Sequence, residues 1–572
     1  MRPILCPKPV PPRQQSKPRH MNRITGRSAF LSLLKDEGVT HLFGNPGTTE
    51  LPIMHALKEH PDLTYVLGLQ EAVVVAMADG FSRASGRLVA CNVHVAPGLG
   101  NAMGSLYNAK FTGTPMIITA GQQEQGHGLT EPLLYDPLVP IAAPLVKWAV
   151  EVTRLEDLPR IVRRAAKVAT TPPTGPVFIS LPGDILNAEA GIDLGASTRV
   201  DTRARPADAV LDRLARRLLE ARQPVIVVGD EIVKSDALEA AAAFAATLGA
   251  PVYQQTVPCG AHFPSEHACY MGGLSRDQRQ VRDILSRFDL LIALGADPVR
   301  MSVWSEVEPK PESLPVVHVG QLDWDMGKNY AAEMAVRADL RETLLALTPL
   351  LAERGGARLA QRAKAAMAEL AGRNWAAQRA ELARRLESRA AARPIDGDWL
   401  TLQIAEALPR EAVLVNEGLT AGRYVTNLVP YRDRYGFHAL AAGGIGWGVA
   451  AAVGVALAQA PRQVVCFSGD GSAMYTIQAL WTAAHLKLPI TYVIADNGGY
   501  RILKQRLKAF HGNDTPIGMD IVDPRIDFVG LATSLGMAAE RVEEPAALRP
   551  ALEKAFAAPG PKLIDVVIDG RV

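Results

Sequence analysis

The sequence is poor in cysteine, in excess charge and in long apolar runs, and each shortage argues against a class of protein. With 61 basic against 59 acidic residues, the net charge of +2 gives no sign of a nucleic-acid or acidic-membrane partner. No run of eighteen or more uncharged apolar residues occurs, so no membrane span is expected. Five cysteines lie scattered without a CxxC pair, which predicts reduced thiols in a cytoplasmic protein and no zinc site: Cys6, Cys91, Cys259, Cys269 and Cys466.

What the sequence does have is length and a recurring strand–helix rhythm. A chain of 572 residues is too long to fold around one hydrophobic core, so two to four domains are expected at about 150 residues each. Short β-rich runs alternate with helical patterns in three blocks, which is typical of α/β domains with doubly wound parallel sheets. We place these domains at residues 23–190, 205–350 and 394–572. The first and third share one rhythm, which predicts related topologies.

The segment before the first domain, residues 1–22, is basic and proline-rich. It lacks the apolar run of a signal peptide, and its prolines disfavour an amphipathic transit helix. We interpret it as a disordered tail, or as an upstream mis-called start before Met21.

Two strands of the third domain end at polar residues beside glycine. "RQVVCFSGD" ends at Asp470 and "PITYVIADN" ends at Asn497, about two dozen residues later, which suits one βαβ crossover. Ligands bind outside the carboxyl ends of parallel strands, and Gly471 and Ser472 open a helix there. A carboxylate, an amide oxygen and a turned carbonyl at Gly499 suit Mg²⁺ bridging to a diphosphate. The alternative is a simple helix cap, to which Asp-Gly is also suited.

This GDG motif with its distant Asn resembles the cofactor-binding motif of the thiamine-diphosphate-dependent decarboxylases. The segments "FGNPGTTELP", "NVHVAPGLGNAMG" and "AAGGIGWGVAAAVGVAL" are similar to those of benzoylformate decarboxylase and its close relatives. The resemblance implies a pyrimidine-binding, a central and a diphosphate-binding domain, with thiamine diphosphate and Mg²⁺ as cofactors. It also implies a small 2-oxo acid as substrate and a homodimer or homotetramer, with active sites at the dimer interface.

The resemblance assigns three catalytic residues to the first domain. Glu71, where a strand gives way to an apolar helical run, would activate the cofactor from a site shielded from water. The alternative is an acidic residue that favours a helix N-terminus. His94 matches a histidine that handles protons, although a lone histidine at a strand end can be merely hydrogen-bonded. Thr48 falls where the family places a serine near the substrate carboxylate.

In the third domain the resemblance implies a bulky apolar prop, Ile445, that bends the cofactor, and a backbone carbonyl, that of Gly443, that receives its amino group. The metal ligands would be Asp470, Asn497 and Gly499. The implied cofactor-binding residues are Glu71, Thr420, Gly443, Ile445, Gly469, Asp470, Gly471, Ser472, Asn497, Gly499 and Tyr500.

The sequence departs from the family around the substrate. The segment "GADPVRMSVWSEVEP" carries no histidine where the family has its second one, which leaves Ser302 or Trp304 in that space, or His127 from a loop. Leu419 and Ile502 would narrow an aryl-sized pocket and favour a smaller or branched 2-oxo acid. The expected substrate pocket therefore comprises Thr48, His94, Leu419 and Ile502.

Non-oxidative decarboxylation to an aldehyde and carbon dioxide, a carboxy-lyase reaction, is the function that these motifs favour. The alternative is a carboligase similar to acetolactate synthase, since "VVHVGQLDWDMGKN" resembles the central segment of those enzymes. Against this alternative, "GGIGWG" lacks the extra residues that acetolactate synthases carry after the corresponding glycines. A third hypothesis, a non-catalytic cofactor-binding protein, is disfavoured because Glu71, Asp470 and Asn497 are all present.

Overall fold

The computed structural model describes residues 23–572, so the segment interpreted as a tail at 1–22 lies outside the described residues. Three six-stranded sheets, in each of which all strand pairs are parallel, make up the framework. The predicted α/β architecture of three doubly wound parallel sheets is confirmed. Within residues 23–572 no helix is both long and apolar enough to cross a membrane.

The first domain has the strand order β3-β2-β4-β5-β7-β6, and its chain ends are tied by the short antiparallel pair β1 and β8. Its elements are β1 (Arg23–Thr25), α1 (Gly26–Asp36), β2 (His41–Gly44), α2 (Leu51–Ala56), β3 (Thr64–Leu67), α3 (Glu71–Ser85), β4 (Val89–Val93), α4 (Val95–Thr112), β5 (Met116–Gln122), α5 (Leu138–Ala142), β6 (Ala149–Glu151), α6 (Leu158–Thr170), β7 (Val177–Pro182), α7 (Gly183–Asn187) and β8 (Glu189–Gly191).

The central domain has the strand order β11-β10-β9-β12-β13-β14, which is the 3-2-1-4-5-6 order of dinucleotide-binding folds. A break at Gly356, at φ 51°, divides its last helix, α12, in two. Its elements are α8 (Asp208–Glu220), β9 (Pro224–Val228), α9 (Glu231–Lys234), α10 (Leu238–Leu248), β10 (Val252–Gln254), β11 (Tyr270–Gly273), α11 (Gln278–Leu285), β12 (Leu290–Leu294), β13 (Val316–Gly320), β14 (Met334–Arg337) and α12 (Leu340–Ala371).

The third domain has the order β16-β15-β17-β18-β20-β19, which repeats that of the first domain strand for strand, as their shared rhythm predicts. Helix α13 (Trp375–Leu386) leads into it from the central domain. Its elements are α14 (Gly397–Ala407), β15 (Val413–Glu417), α15 (Val425–Leu428), β16 (Phe437–Ala439), α16 (Trp447–Gln459), β17 (Val464–Gly469), α17 (Asp470–Ala473), α18 (Ala479–His485), β18 (Ile490–Asp496), α19 (Arg501–His511), α20 (Phe528–Ser534), β19 (Ala538–Val542), α21 (Pro545–Ala557) and β20 (Lys562–Val567).

Helices α3 and α16 join the first and third domains through one continuous hydrophobic core. Their backbones are in contact because glycine stands at both crossing points: a Cβ on Gly80 would lie 2.3 Å from the Ala451 carbonyl oxygen. Beside the crossing, the fully buried carboxylate of Asp79 accepts a 2.6 Å hydrogen bond from Trp447 Nε1, and Arg83 stacks 4.4 Å from the indole ring. The first and third domains therefore share one buried interface.

Alanine at the second crossing point should force these helices apart. A Cβ on Gly454 would lie 1.9 Å from the Met77 carbonyl oxygen, which belongs to rigid helical backbone. We expect Gly454→Ala to lower the free energy of unfolding by about 1–3 kcal/mol, the usual cost of overpacking. The urea midpoint of tryptophan fluorescence measures the change. Gly273→Ala is the control, because a Cβ there meets nothing within 4 Å; equal midpoints for the two variants would contradict the close crossing.

Candidate active site

Strand order reverses at one point in the first sheet and at the matching point in the third. In the first domain the chain crosses from β2 to β3 on one side and from β4 to β5 on the other side of this point. In the third domain it crosses likewise from β15 to β16 and from β17 to β18. Loops that follow such strands open a crevice at their carboxyl ends. We call the cluster at the first crevice the N-terminal half-site (Thr48, Thr49, Glu50, Glu71 and His94), and the cleft at the second the C-terminal half-site.

Glu50 is the hub of the N-terminal half-site. Its fully buried carboxylate accepts hydrogen bonds from the backbone amides of Gly47 at 2.9 Å and Gly121 at 2.8 Å, and from the Thr49 hydroxyl at 2.8 Å. The same carboxylate lies 2.7 Å from Nδ1 of His94. These contacts fix the imidazole through one nitrogen. The other nitrogen, Nε2, hydrogen-bonds to no described residue, and 22% of the side chain is exposed.

The hydroxyl next to His94 belongs to Thr49, whose Oγ1 lies 3.2 Å from Nδ1. Thr48, the residue that the resemblance assigns, is exposed and makes no side-chain hydrogen bond with residues 23–572. Glu50 and Thr49 both stand in the motif "NPGTTE" but were not singled out from the sequence. An acid next to a leucine-proline pair carries no periodic signal of burial, so only the fold identifies this hub.

Glu71 is the first residue of α3 and is only 7% exposed. Its carboxylate accepts a 3.0 Å hydrogen bond from Asn101 Nδ2, and a Cβ on Gly98 would lie 2.8 Å from its Oε1. The helix is capped instead by Gln70, whose side-chain oxygen accepts from the amide of Ala72 at 2.6 Å. Glu71 is therefore not the helix cap, although the first residue of α3 is also a place where the helix macrodipole favours an acid.

The C-terminal half-site contains two side-chain oxygens that are buried and could bind a metal ion. Asp470 follows β17 and Asn497 follows β18, two strands that run side by side. Burial, and then the neighbouring Asp496, raise the pKa of Asp470 to about 6, although its carboxylate accepts a 3.0 Å hydrogen bond from the amide of Gly499. The side-chain oxygen of Asn497 is buried without a hydrogen-bond partner among the described residues. Such an orphan acceptor is costly, and a hard cation between the two oxygens would satisfy it.

Glycines beside this pair allow the surrounding chain to pack closely against it. A Cβ on Gly471 would lie 2.6 Å from a ring carbon of Tyr500, and one on Gly499 would lie 2.3 Å from the Met519 carbonyl oxygen. Gly471 and Ser472 belong to α17, which is a single turn. The predicted helix is thus short, and Gly471 and Ser472 both line the cleft.

A second buried acid, Glu417, supports the loop before α16. Its carboxylate accepts hydrogen bonds from the amides of Gly446, at 2.6 Å, and Gly448. Burial raises the pKa of Glu417 to about 7. Since Ile445 directly precedes this pinned turn, Glu417 fixes the segment that carries the predicted cofactor prop. It stands in "NEGLTAG", and nothing in that pattern distinguished it from an ordinary strand end.

The cleft collects most of the residues predicted for cofactor and substrate in the third domain. Gly443 and Ile445 are exceptions: they lie on the loop before α16 and outside the cleft walls, with Gly443 exposed at φ +82°. The cleft is lined by Glu417, Gly418, Leu419, Thr420, Ala421, Gly469, Asp470, Gly471, Ser472, Ala495, Asn497, Gly499, Tyr500, Arg501 and Ile502.

The two half-sites remain apart in one chain. No residue of the first domain lines the cleft. Within residues 23–572, neither Glu71 nor His94 forms a side-chain hydrogen bond with a residue of the cleft. The residues considered in place of the family's second histidine are also outside both half-sites: His127, Ser302 and Trp304 are all exposed. The single chain therefore carries two partial sites.

Three segments of the chain match the domains of thiamine pyrophosphate enzymes. Residues 24–132 match the N-terminal TPP binding domain, 211–347 the central domain and 420–566 the C-terminal TPP binding domain. The chain belongs to this family of thiamine-diphosphate-dependent enzymes, as the resemblance of its motifs implies.

Named relatives fall into two chemical groups. Benzoylformate decarboxylase of Pseudomonas aeruginosa is 35% identical over 551 residues, which is 95% of this chain and 98% of that protein. Acetolactate synthase isozyme 1 large subunit of Escherichia coli is 26% identical, over 96% and 95%. Among solved structures, the thiamine diphosphate-dependent 4-hydroxybenzoylformate decarboxylase of Rhodococcus jostii RHA1 superposes with a TM-score of 0.84, at 29% identity, over 96% and 99%.

Glu50 and His94 should act as a unit. We expect His94→Ala to lower kcat with a 2-oxo acid by about 100-fold, and Glu50→Gln to lower it by about 10- to 100-fold because the imidazole loses its anchor. The double variant should be no slower than His94→Ala alone. Steady-state kinetics measure all three, with the exposed Glu156→Gln as control. Losses that multiply in the double variant would show that Glu50 and His94 act independently.

Proposed function

We propose that this enzyme catalyses the non-oxidative decarboxylation of a 2-oxo acid to an aldehyde and carbon dioxide, with thiamine diphosphate and Mg²⁺. The observation that carries the proposal is the buried Asp470 carboxylate beside the orphan oxygen of Asn497. This donor set fits a magnesium ion, with Asp470, Asn497 and the Gly499 carbonyl as its protein ligands. When bound, the cofactor supplies the electron sink that decarboxylation needs.

The chain's own residues would divide the remaining work between them. Glu71, shielded and held by Asn101, would hold the proton that activates the bound cofactor. His94, anchored at Nδ1 by Glu50, presents Nε2 for proton transfer at the substrate oxygen. The exposed hydroxyl group of Thr48 would provide a donor for the substrate carboxylate, while the Thr49 hydroxyl donates to Glu50. Two relatives that are named decarboxylases support this assignment.

The substrate of the proposed reaction is a small or branched 2-oxo acid. Leu419 and Ile502 line the same cleft as Asp470 and place aliphatic bulk where an aryl group would need width. Leu419 and Ile502 are the two large aliphatic side chains among the residues that line the cleft. The proposed substrate therefore differs from the aryl 2-oxo acids after which the two decarboxylase relatives are named.

A homodimer, alone or within a homotetramer, would complete the site. Large exposed apolar side chains flank both half-sites: Leu51, which follows Glu50, is 58% exposed, and Tyr475, which follows α17, is 54% exposed. Apolar surface of this kind on both sides of a divided site fits an interface between two chains. The N-terminal half-site of one chain would then face the C-terminal half-site of its partner.

Carboligation is the second candidate, because the chain also matches an acetolactate synthase over nearly its whole length. In that reaction the decarboxylated fragment is transferred to a second carbonyl compound instead of being released. The same proton-transfer residues serve both reactions, so the fold alone favours neither. The products distinguish them.

Product analysis tests the proposal. The enzyme is incubated with thiamine diphosphate, Mg²⁺ and each acid of a panel from pyruvate through branched-chain acids to benzoylformate. Carbon dioxide, free aldehyde and hydroxyketone are measured separately. We expect aldehyde and carbon dioxide in equal amounts, with a branched or small acid preferred over benzoylformate. Hydroxyketone at half the carbon dioxide, or an acetohydroxy acid equal to the carbon dioxide without free aldehyde, would establish the carboligase. Benzoylformate as the best substrate would contradict the narrowed pocket.

A further inference from the structure

The central domain has its own crevice, which the proposed reaction does not use. In its sheet the order reverses between β9 and β12, where ligands of such folds bind. A cavity of about 500 Å³ lies at this point, between the central domain and the end of α4 in the first domain. Asp230, just beyond β9, lines it.

Three groups capable of binding metal converge at the base of this crevice. Asp230 meets Cys259 and His262, which stand three residues apart on the loop between β10 and β11. The Asp230 oxygen Oδ1 lies 2.7 Å from the Cys259 sulfur and 2.6 Å from Nε2 of His262. All three donor atoms lie within 4.8 Å of one another. The set is concealed from solvent, with Cys259 5% exposed and His262 fully buried.

The hydrogen bonding of His262 is incomplete. Nε2 approaches Asp230 closely but outside hydrogen-bond geometry, and neither ring nitrogen has a hydrogen-bond partner among residues 23–572. Buried polar groups are normally satisfied, so an imidazole in this state is costly. The other oxygen of Asp230 accepts a 3.2 Å hydrogen bond from Gln255 Nε2. A protonated His262 would pair with Asp230 across the 2.6 Å contact, whereas a metal ion would use the lone pair of Nε2 on the neutral ring.

We propose that Asp230, Cys259 and His262 bind a divalent metal ion of the zinc class, with a water molecule from the cavity as fourth ligand. Thiolate and imidazole donors select a borderline-soft ion such as Zn²⁺ over Mg²⁺. A thiolate, a carboxylate and a neutral imidazole carry two negative charges, which the ion neutralises, so the loaded site is uncharged and suits burial. The site is therefore chemically distinct from the all-oxygen pair at Asp470 and Asn497.

The location indicates what the ion does. The carbonyl oxygen of Cys259 accepts hydrogen bonds from Arg83 of the first domain, at 2.5 Å, and from the amide of Ala439 of the third, at 3.0 Å. The metal-binding loop is thus the point where all three domains meet. An ion that fixes this loop to β9 would stabilise the placement of the central domain against the other two.

Metal titration tests the site without reference to turnover. The full-length protein is stripped with EDTA, reloaded with Zn²⁺ or Co²⁺, dialysed and assayed for metal by mass spectrometry. We expect one ion per chain, a thiolate-to-Co²⁺ charge-transfer band and a rise in the thermal midpoint. Cys259→Ser and His262→Gln should each weaken binding by about 100-fold or more, since each removes a ligand from a three-residue site.

Matched controls in the same domain make the outcome decisive. Cys269→Ser and His267→Gln change a neighbouring cysteine and histidine that lie outside the cluster, and both should keep the ion and the absorption band. Asp470→Ala should also keep it, so failure of the proposed function leaves this result intact. No metal retained by the wild type, or equal binding by wild type and Cys259→Ser, would overturn the proposal. If one cluster variant fails to fold in EDTA, the other carries the comparison.

Discussion

The reversal of strand order in a parallel sheet is the constraint on which this molecule depends. At each reversal, the loops after two strands diverge and open a crevice, and here every cluster of chemically active side chains lies at such a crevice. The first sheet places Glu50 and His94 there, and the third places Asp470. Because the first and third sheets share one strand order, the enzyme builds its two half-sites from the same architectural plan.

Burial of acidic groups is the second common feature. Asp470 and Glu417 are both removed from water, and burial raises the pKa of each. Glu417 is supported by two backbone amides at the start of α16, whereas Asp470 faces the cleft beside an amide oxygen with no partner among the described residues. Glu417 thus finds its hydrogen-bond partners within the chain and holds the loop before α16. The arrangement at Asp470 is incomplete, which is why we assign it to a metal ion.

The sequence predicted the long, strongly apolar strands and the motifs that follow them, because both leave local patterns. The strands β6 and β19 are only partly buried and lack a clear alternation of apolar and polar residues, so the sequence carries little signal for them. It missed the hub role of Glu50, since a contact between the loop after β2 and His94 after β4 depends on strand order. The expectation of no zinc site rested on the absence of CxxC pairs and stays a prediction; the pair of Cys259 and His262, which Asp230 joins in the fold, has a different pattern.

The division of the active site between two chains is the central claim, and complementation tests it most directly. Glu71→Ala disables the N-terminal half-site and Asp470→Ala the C-terminal one, so each homodimer should be inactive. After the two variants are unfolded together and refolded as a mixture, half of the dimers should be mixed, each with one intact site, and about a quarter of wild-type activity should return. A mixture that stays as inactive as its components would show that both residues serve a site within one chain.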